Sequence, residues 1–383
     1  MTEKLYDADA YIKNFKASVI SCEKTGDGFF KTVLDRTAFF PEGGGQSGDR
    51  GSIGLAEIFD TKIKDGKIYH FSKEPVPVSL EVDCSIDFKR RFSFMQNHTG
   101  EHIVSGIANK LFGLENVGFH LGEDFATVDF NAYLDRKTID TIETAANEKV
   151  WQNLNVKAYY PSEDELSSLN YRSKKEINGR VRIVRIEDTD ICACCAPHVK
   201  STGEIGIIKL LSAQKMRSGT RIILKCGSFA LKDYRNKFLN ISKISDLTSS
   251  PCEDTAEAVL RLENKLSELK QNNSELKVRL IKSISESADM SKRYYFENGF
   301  DMKELQLSAD MLFKKTGRLS AVFSENGGFY SFAVCGDDGV LMPFFKAFKN
   351  SFEVKGGGRN GIVQGTVKAD KNDIIDFFER KDI

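Results

Sequence analysis

Histidine, tryptophan and proline are scarce in this chain, at 5, 1 and 7 of 383 residues. With so few histidines, any clustering of imidazoles becomes informative. Long apolar runs are missing too, and nothing approaches the ~20 residues of a membrane-spanning helix. The opening MTEKLYDADAYIKNFK has neither the basic start nor the apolar core of a secretory signal, so the expected address is the cytoplasm. Net charge is absent, with 55 Lys and Arg against 55 Asp and Glu, which removes the overall basic signature of a nucleic-acid binder. The chain has no G-x-S-x-G, against a serine-hydrolase elbow. The glycine-rich PEGGGQSGD lacks the lysine and hydroxyl residue of a phosphate-binding loop. Eight cysteines in a cytoplasmic chain read as thiols or metal ligands rather than disulfides.

What is present begins with FMQNHTGEHIVSG, Phe94 to Gly106, which holds His98 and His102 one helical turn apart. Two imidazoles on one helix face bind a single zinc ion only with further ligands from elsewhere. Ninety-two residues after His102, the stretch CACCAPHVKSTGEIG repeats the four-residue spacing with Cys194 and His198. The set His98, His102, Cys194 and His198 suits a tetrahedral zinc ion, one per chain. Cys192 and Cys195 compete with Cys194, which is preferred for its spacing to His198. Four protein ligands close a zinc site, whereas catalysis needs an open position, and the sequence leaves that choice open. The scattered Cys22, Cys84, Cys226, Cys252 and Cys335 read as small buried apolar residues. Glu101 makes HTGEH an H-x-x-E-H motif, the inverted zinc-peptidase signature, which would take a third ligand from the acidic residues between 164 and 190. That reading leaves the cysteine–histidine pair without a role, and Glu101 itself reads as a surface helix residue in preference to a hydrogen-bond partner behind a zinc histidine.

The texture changes along the chain. Residues 1 to about 85 alternate short apolar runs with glycine and charged turns, the pattern of a small all-β, barrel-like unit. From Asp87 a helical segment runs to a C-cap at Gly113, followed by strands around GFHLGEDFATVDFN, a helix through KTIDTIETAANEKVWQNL and strands around VRIVRI. The order suggests an α+β domain over 86–248. Between Val199 and Ser245 ten basic residues face two acidic ones, either a solvated sheet face or a track for phosphates. After Ser250 and Pro251, Val259, Leu262, Leu266, Leu269, Asn273, Leu276 and Leu280 follow a heptad spacing within 251–298. The seam serves a homodimer or packs within the chain. Residues 299–383 read as a small α/β unit carrying a glycine-rich turn.

Together these segments resemble a known family. HTGEH followed by CCAPHV and TGEIG is similar to the paired metal motifs of the editing domain of alanyl-tRNA synthetase and of its free-standing relatives, a pair that threonyl-tRNA synthetases share. TAFFPEGGGQSGDRG resembles the glycine-rich segment of the alanine branch, and VKGGGRNGIVQG that of the C-terminal DHHA1 domain. The aminoacylation domain of the synthetase is absent, and CCAP replaces a more usual glycine-rich spacer. The resemblance implies a free-standing editing protein of the long AlaX type, a multidomain α+β chain with an N-terminal barrel, a zinc editing domain, a coiled-coil helix and a DHHA1-like domain. Its implied activity is ATP-independent hydrolysis of seryl-tRNA(Ala), with glycyl-tRNA(Ala) as a second candidate. The rival readings are a zinc peptidase and a non-catalytic tRNA-binding zinc protein. The resemblance places Thr37 and Gln46 near the amino-acid pocket, where a bond to the serine hydroxyl discriminates against alanine by up to ~10⁴-fold. It assigns tRNA binding to Lys355, Gly356, Gly357, Gly358 and Arg359.

Overall fold

The structure, a computed structural model, describes residues 2–173 and 179–380. It divides into two compact units, Met1–Ser242 and Lys243–Ile383. Among the described residues no helix is long and apolar enough to cross a membrane.

The first unit opens with β1 (Glu3–Lys4), α1 (Leu5–Ala8), β2 (Asn14–Lys24), β3 (Phe30–Leu34), β4 (Arg36–Thr37), β5 (Gly51–Ile53), β6 (Ala56–Lys64), β7 (Lys67–Ser72) and β8 (Glu81–Ile86). Six of these strands close into a barrel in the order β2-β3-β7-β6-β5-β8. Alternation decides which side chains fill it. In β7, Ile68, His70 and Ser72 point inward while Tyr69 and Phe71 are partly exposed. His70 is the one imidazole of the barrel interior, and burial pushes its pKa down to about 4, so the ring is neutral. Its Nδ1–H donates to the Thr32 carbonyl at 3.0 Å, which leaves Nε2 to accept the Thr37 hydroxyl at 2.9 Å.

The chain then enters α2 (Phe88–Phe112). The Asp87 side chain caps its start by accepting from the Arg90 N–H, and Gly113, at φ 66°, ends it in the left-handed conformation. Between Ser93 and Ala108 every residue is buried. A buried helix this long has to be covered on several sides. One cover is the sheet β14-β15-β10-β9, built from β9 (Asn116–Leu121), β10 (Ala126–Phe130), β14 (Ile208–Met216) and β15 (Gly219–Cys226). Others are α3 (Arg136–Trp151) and the sheet of β11 (Val156–Tyr159), β12 (Ile183–Ile186) and β13 (Asp190–Ala193). A short α4 (Glu163–Ser168) and the long α5 (Gly227–Thr248) complete this part.

Barrel and helix are joined by a buried ion pair. Arg91, fully buried on α2, donates from Nε to Asp49 Oδ1 at 2.9 Å and from Nη2 to Asp49 Oδ2. Its remaining donors reach the carbonyls of Ala10 at 3.0 Å and Ala38 at 2.6 Å, while Asp49 also accepts from the Phe40 N–H at 2.6 Å. Every charge here is satisfied, and removing one partner of such a pair typically costs about 3–5 kcal/mol.

In the second unit, α6 (Thr255–Ser287) and α7 (Met302–Thr316) cover one face of a five-stranded sheet, and α8 (Asp338–Ser351) and α9 (Lys371–Arg380) the other. The strands are β16 (Tyr294–Phe296), β17 (Ser320–Asn326), β18 (Phe329–Cys335), β19 (Glu353–Arg359) and β20 (Ile362–Lys368), in the order β16-β17-β18-β20-β19. The apolar heptad positions Val259, Leu262, Leu266, Leu269, Leu276 and Leu280 are 47–62% exposed. The buried residues of α6 are Ala258 near its start and Ile281 and Ser285 near its end.

One expectation is corrected here. The glycines at 356–358 form the edge strand β19 rather than a turn; the turn is Asn360–Gly361, with φ of 59° and 81°, the pair of positive values a tight hairpin requires. In the basic stretch of 199–245, six of the ten basic residues form ion pairs, four of them with acids distant in sequence. Lys200 pairs with Asp9, Lys209 with Glu143, Arg221 with Asp129, Lys232 with Asp124, and Lys225 and Lys237 with Asp233. Of the two readings of this stretch, the pairs favour the solvated face.

Candidate metal centre

The four residues singled out by spacing converge. The donor atoms of His98, His102, Cys194 and His198 all lie within 4.8 Å of one another. Cys194 Sγ is 3.5 Å from His98 Nε2 and 3.4 Å from His198 Nε2. An S–N edge of a zinc tetrahedron, from bonds of ~2.3 and ~2.05 Å, is ~3.6 Å. The spacing fits an ion of that size.

Each imidazole is held from behind. His98 Nδ1 donates to Gln46 Oε1 at 2.9 Å, His198 Nδ1 to Thr99 Oγ1 at 3.0 Å, and His102 Nδ1 to Asp190 Oδ2 at 3.0 Å. Amide oxygen and carboxylate only accept, so His98 and His102 must protonate Nδ1, and Nε2 is left with a lone pair facing the centre. This outer shell fixes both tautomer and ring orientation. Asp190 is anchored in turn by Arg172, Nε to Oδ1 at 2.7 Å and Nη2 to Oδ2 at 2.8 Å. Burial pushes the Asp190 carboxyl up, but its bonds to His102 and Arg172 outweigh that and hold it below the ordinary carboxylate range. On α2, Gly106 makes this approach possible, because a Cβ there would meet Thr189 O at 2.5 Å and Asp190 Cβ at 2.8 Å.

The cysteine loop is clamped separately. Arg182 donates from Nη1 to the carbonyls of Cys194 at 3.0 Å and Ala196 at 2.9 Å, and the Cys194 N–H donates to the Arg182 carbonyl at 3.0 Å. Burial pushes the Cys194 thiol far up, and burial with the facing His102 and His98 pushes His198 far down. Three buried imidazoles and a thiol thus converge on one point, with the Cys194 sulfur in hydrogen-bond range of two of the rings. Such a set could hold a metal ion. A second grouping, His102 with Asp190 and Cys192, shares His102. There Asp190 already binds the imidazole and Arg172, which makes it a support rather than a ligand.

The glycine-rich segment reaches the same place. Gly43 and Gln46 exchange backbone hydrogen bonds of 3.0 Å across a tight turn, and the Gly45 carbonyl accepts from Leu121 N–H of β9 at 2.7 Å. Gly45 has φ +82°, and a Cβ on it would meet Phe119 O at 2.6 Å, so only glycine fits. Gly44 lies against His98 Cε1 and Cys195 Sγ, the exposed thiol beside the centre. Gln46 is thus brought to the centre, as a partner of His98. Its Nε2 is buried without a hydrogen-bond partner among the described residues.

Thr37 is not brought there. It is 0% exposed, its hydroxyl lies on His70, and it accepts from the Phe39 N–H at 3.1 Å, all within the barrel wall. Glu101 is also placed differently from expectation. It is 1% exposed rather than a surface residue, and it accepts from Ser105 Oγ at 2.6 Å and from Asn116 Nδ2, tying α2 to β9. Cys194 and His198, rather than a carboxylate from 164–190, join the two histidines in the four-residue donor set, which counts against the peptidase reading. Lys355, Gly356, Gly357, Gly358 and Arg359 lie in the other unit, on β19.

Asp190 and Arg172 were missed in the sequence, although one signal existed. In DICAC, Asp190, Cys192 and Cys194 alternate at the strand period, so the acid shares a face with the ligand cysteine. Arg172 carries no such signal.

Metal content checks the assignment. Cys194→Ala is expected to lose most of the metal and Cys192→Ala to retain it. Asp190→Asn is expected to weaken metal affinity by about 10–100-fold while leaving stoichiometry at one. Equal retention by the two cysteine variants contradicts the ligand set.

Residues 181–223 match the family described as "Threonyl and Alanyl tRNA synthetase second additional domain". The alanyl-tRNA editing protein AlaX-L of Pyrococcus horikoshii is 30% identical over 402 residues, covering 100% of this chain and 98% of the relative. The alanyl-tRNA editing protein Aarsd1 of Bos taurus is 30% identical over 73% of this chain and 68% of its own. The alanine–tRNA ligase of Pyrococcus abyssi is 31% identical over 96% of this chain but only 42% of the ligase. With the metal motifs in place and the likeness running end to end, this chain belongs to the family of alanyl-tRNA editing proteins.

Proposed function

We propose that the chain is a hydrolase acting in trans in the cytoplasm, deacylating seryl-tRNA(Ala) at a zinc centre, with glycyl-tRNA(Ala) a second candidate substrate. The reading is carried by the four convergent donors in a chain that matches an alanyl-tRNA editing protein along its whole length. In the reaction, water adds to the aminoacyl carbonyl carbon, the bond to the ribose oxygen breaks, and that oxygen leaves with a proton. His98, His102, Cys194 and His198 would hold the zinc, which would supply Lewis acidity and fixed positive charge were one position open to the substrate.

The protein's own residues orient and select. Gly43 and Gly44, beside the exposed Cys195, bring backbone close to where the amino acid sits. The unpartnered Gln46 amide supports a donor role toward the substrate, while its oxygen keeps His98 aligned. Thr37 acts from one step behind, as part of the barrel wall that backs this segment.

The second unit reads as a DHHA1-like tRNA-binding module. Its glycines divide by physical demand. A Cβ on Gly356 or Gly358 would meet β20 carbonyl oxygens at 2.2 and 2.0 Å, whereas a Cβ on Gly357 meets nothing within 4 Å. Gly357 is therefore free for the approach of a phosphate between Lys355 and Arg359, which share its face of β19. The exposed seam of α6 supports pairing with a second copy of the chain.

Three outcomes are expected. Seryl-tRNA(Ala) is hydrolysed, alanyl-tRNA(Ala) is spared, and a chelator abolishes turnover until zinc is restored; a zinc-loaded protein without turnover is a structural zinc protein instead. Lys355→Ala with Arg359→Ala weakens tRNA binding and lowers the salt slope of log K by about 1–2, with zinc retained; an unchanged slope removes β19 from the tRNA contact. Light scattering gives a particle of twice 42.9 kDa, and a mass of one chain assigns the seam to another role.

A further inference from the structure

Three aromatic rings flank α2 on the side away from the barrel core. Phe88 and Phe92 stack with centroids 5.9 Å apart, and Tyr11 lies 6.0 and 6.3 Å from them. All three are only partly buried. The Tyr11 hydroxyl is pinned, donating to Glu204 Oε2 at 2.7 Å and accepting from the Lys200 N–H at 2.9 Å. Two ammonium groups sit over ring faces, Lys13 Nζ 4.6 Å from the Phe88 centroid and Lys200 Nζ 4.4 Å from that of Tyr11.

Two of the rings, Phe88 and Phe92, also line a groove of about 610 Å³ with Ile205, Ile207 and Leu231, and Lys89 stands at its edge. Ile207 and Leu231 are 44% and 49% exposed, so this is apolar surface facing water. The groove's polar groups are already bonded, Gln96 Nε2 to the Glu204 carbonyl and Ser228 N–H to Gln96 Oε1. Of the charges around it, Asp9 pairs with Lys200, Glu204 is held by Tyr11 and backbone, and Asp87 caps α2. Lys13 and Lys89 have no ion pair among the described residues. The rim is positive and the floor is aromatic.

We infer that Tyr11, Phe88 and Phe92 form a stacking platform for unpaired bases at the 3′ end of a tRNA substrate, with Lys13 and Lys89 holding the adjoining phosphates. The inference rests on the proposed deacylase reading. Aromatic faces interleaved with lysines suit single-stranded nucleic acid of any sequence, since every base has a π face. A peptide would instead need hydrogen-bonding groups, and the groove's own are spent. The position also fits. Phe92 and Phe88 precede His98 on α2 by six and ten residues, about 9 and 15 Å along the axis. Lys200 follows the proposed ligand His198 by two residues. An ester at the metal centre would leave the preceding few nucleotides beside this groove.

The test uses the full chain and an uncharged tRNA transcript carrying 2-aminopurine in its unpaired 3′ end. Binding is expected to change the probe's fluorescence. Phe88→Leu with Phe92→Leu should abolish that change and raise the dissociation constant about tenfold, while Phe88→Tyr with Phe92→Tyr restores both. Zinc content reports whether each variant keeps its fold, and Phe88→Leu alone, at the exposed start of α2, carries the same expectation if the double variant loses metal. Unchanged affinity and fluorescence in the leucine variant overturn the platform, and so does a wild-type chain with no fluorescence change, whose groove would be covered by protein. Failure of the wild type to hydrolyse seryl-tRNA(Ala) overturns the deacylase reading instead, and the two failures are seen in separate measurements.

Discussion

Three imidazoles and a thiol packed around one point in a nearly dry interior set the terms for everything around them. Burial disfavours the charged form of each group, and none of them offers another a hydrogen bond strong enough to offset its desolvation. A cation at the centre resolves this, provided every ring arrives with its lone pair inward. The outer bonds to Gln46, Thr99 and Asp190 secure that arrangement, and they draw on three different parts of the first unit. The centre therefore requires the barrel segment, the buried helix and the β13 strand to be docked at once.

The buried pair Arg91–Asp49 does much of that docking. It joins α2 to the segment just after Gln46, and its spare donors take up carbonyls at Ala10 and Ala38. Gly106 and Gly45 then let backbones close to distances that a side chain would forbid. The result is a metal centre whose rear is rigid and whose exposed sulfur neighbour, Cys195, marks the side from which a substrate can come. An editing enzyme has to accept the end of a large RNA while rejecting one methyl-sized difference in its amino acid.

Much of this was legible in the sequence, for identifiable reasons. The four-residue spacings of His98–His102 and Cys194–His198 are local signals, and each is carried by a single segment. Asp87 and Gly113 bracket α2 by capping chemistry that depends only on neighbours. What sequence could not give was pairing between distant residues. The acids that neutralise Lys209, Arg221 and Lys232 lie 66 to 108 positions away, so the basic stretch looked more cationic than it is. Glu101 looked like a helix surface residue because its partner Asn116 lies across a chain reversal. The run Gly356–Gly358 reads as a turn by composition, yet close pairing of β19 with β20 asks for glycine just as strongly. Thr37 and Gln46, joined by motif, separated in space because only Gln46 lies on the turn that crosses to β9.

The central claim is that one ion is held by three histidine nitrogens and one cysteine sulfur. X-ray absorption at the zinc edge on the purified, zinc-loaded chain tests it most directly. The account predicts a first shell of three nitrogens near ~2.0 Å and one sulfur near ~2.3 Å, with any further scatterer a light atom. A shell with two sulfurs, or with none, contradicts it.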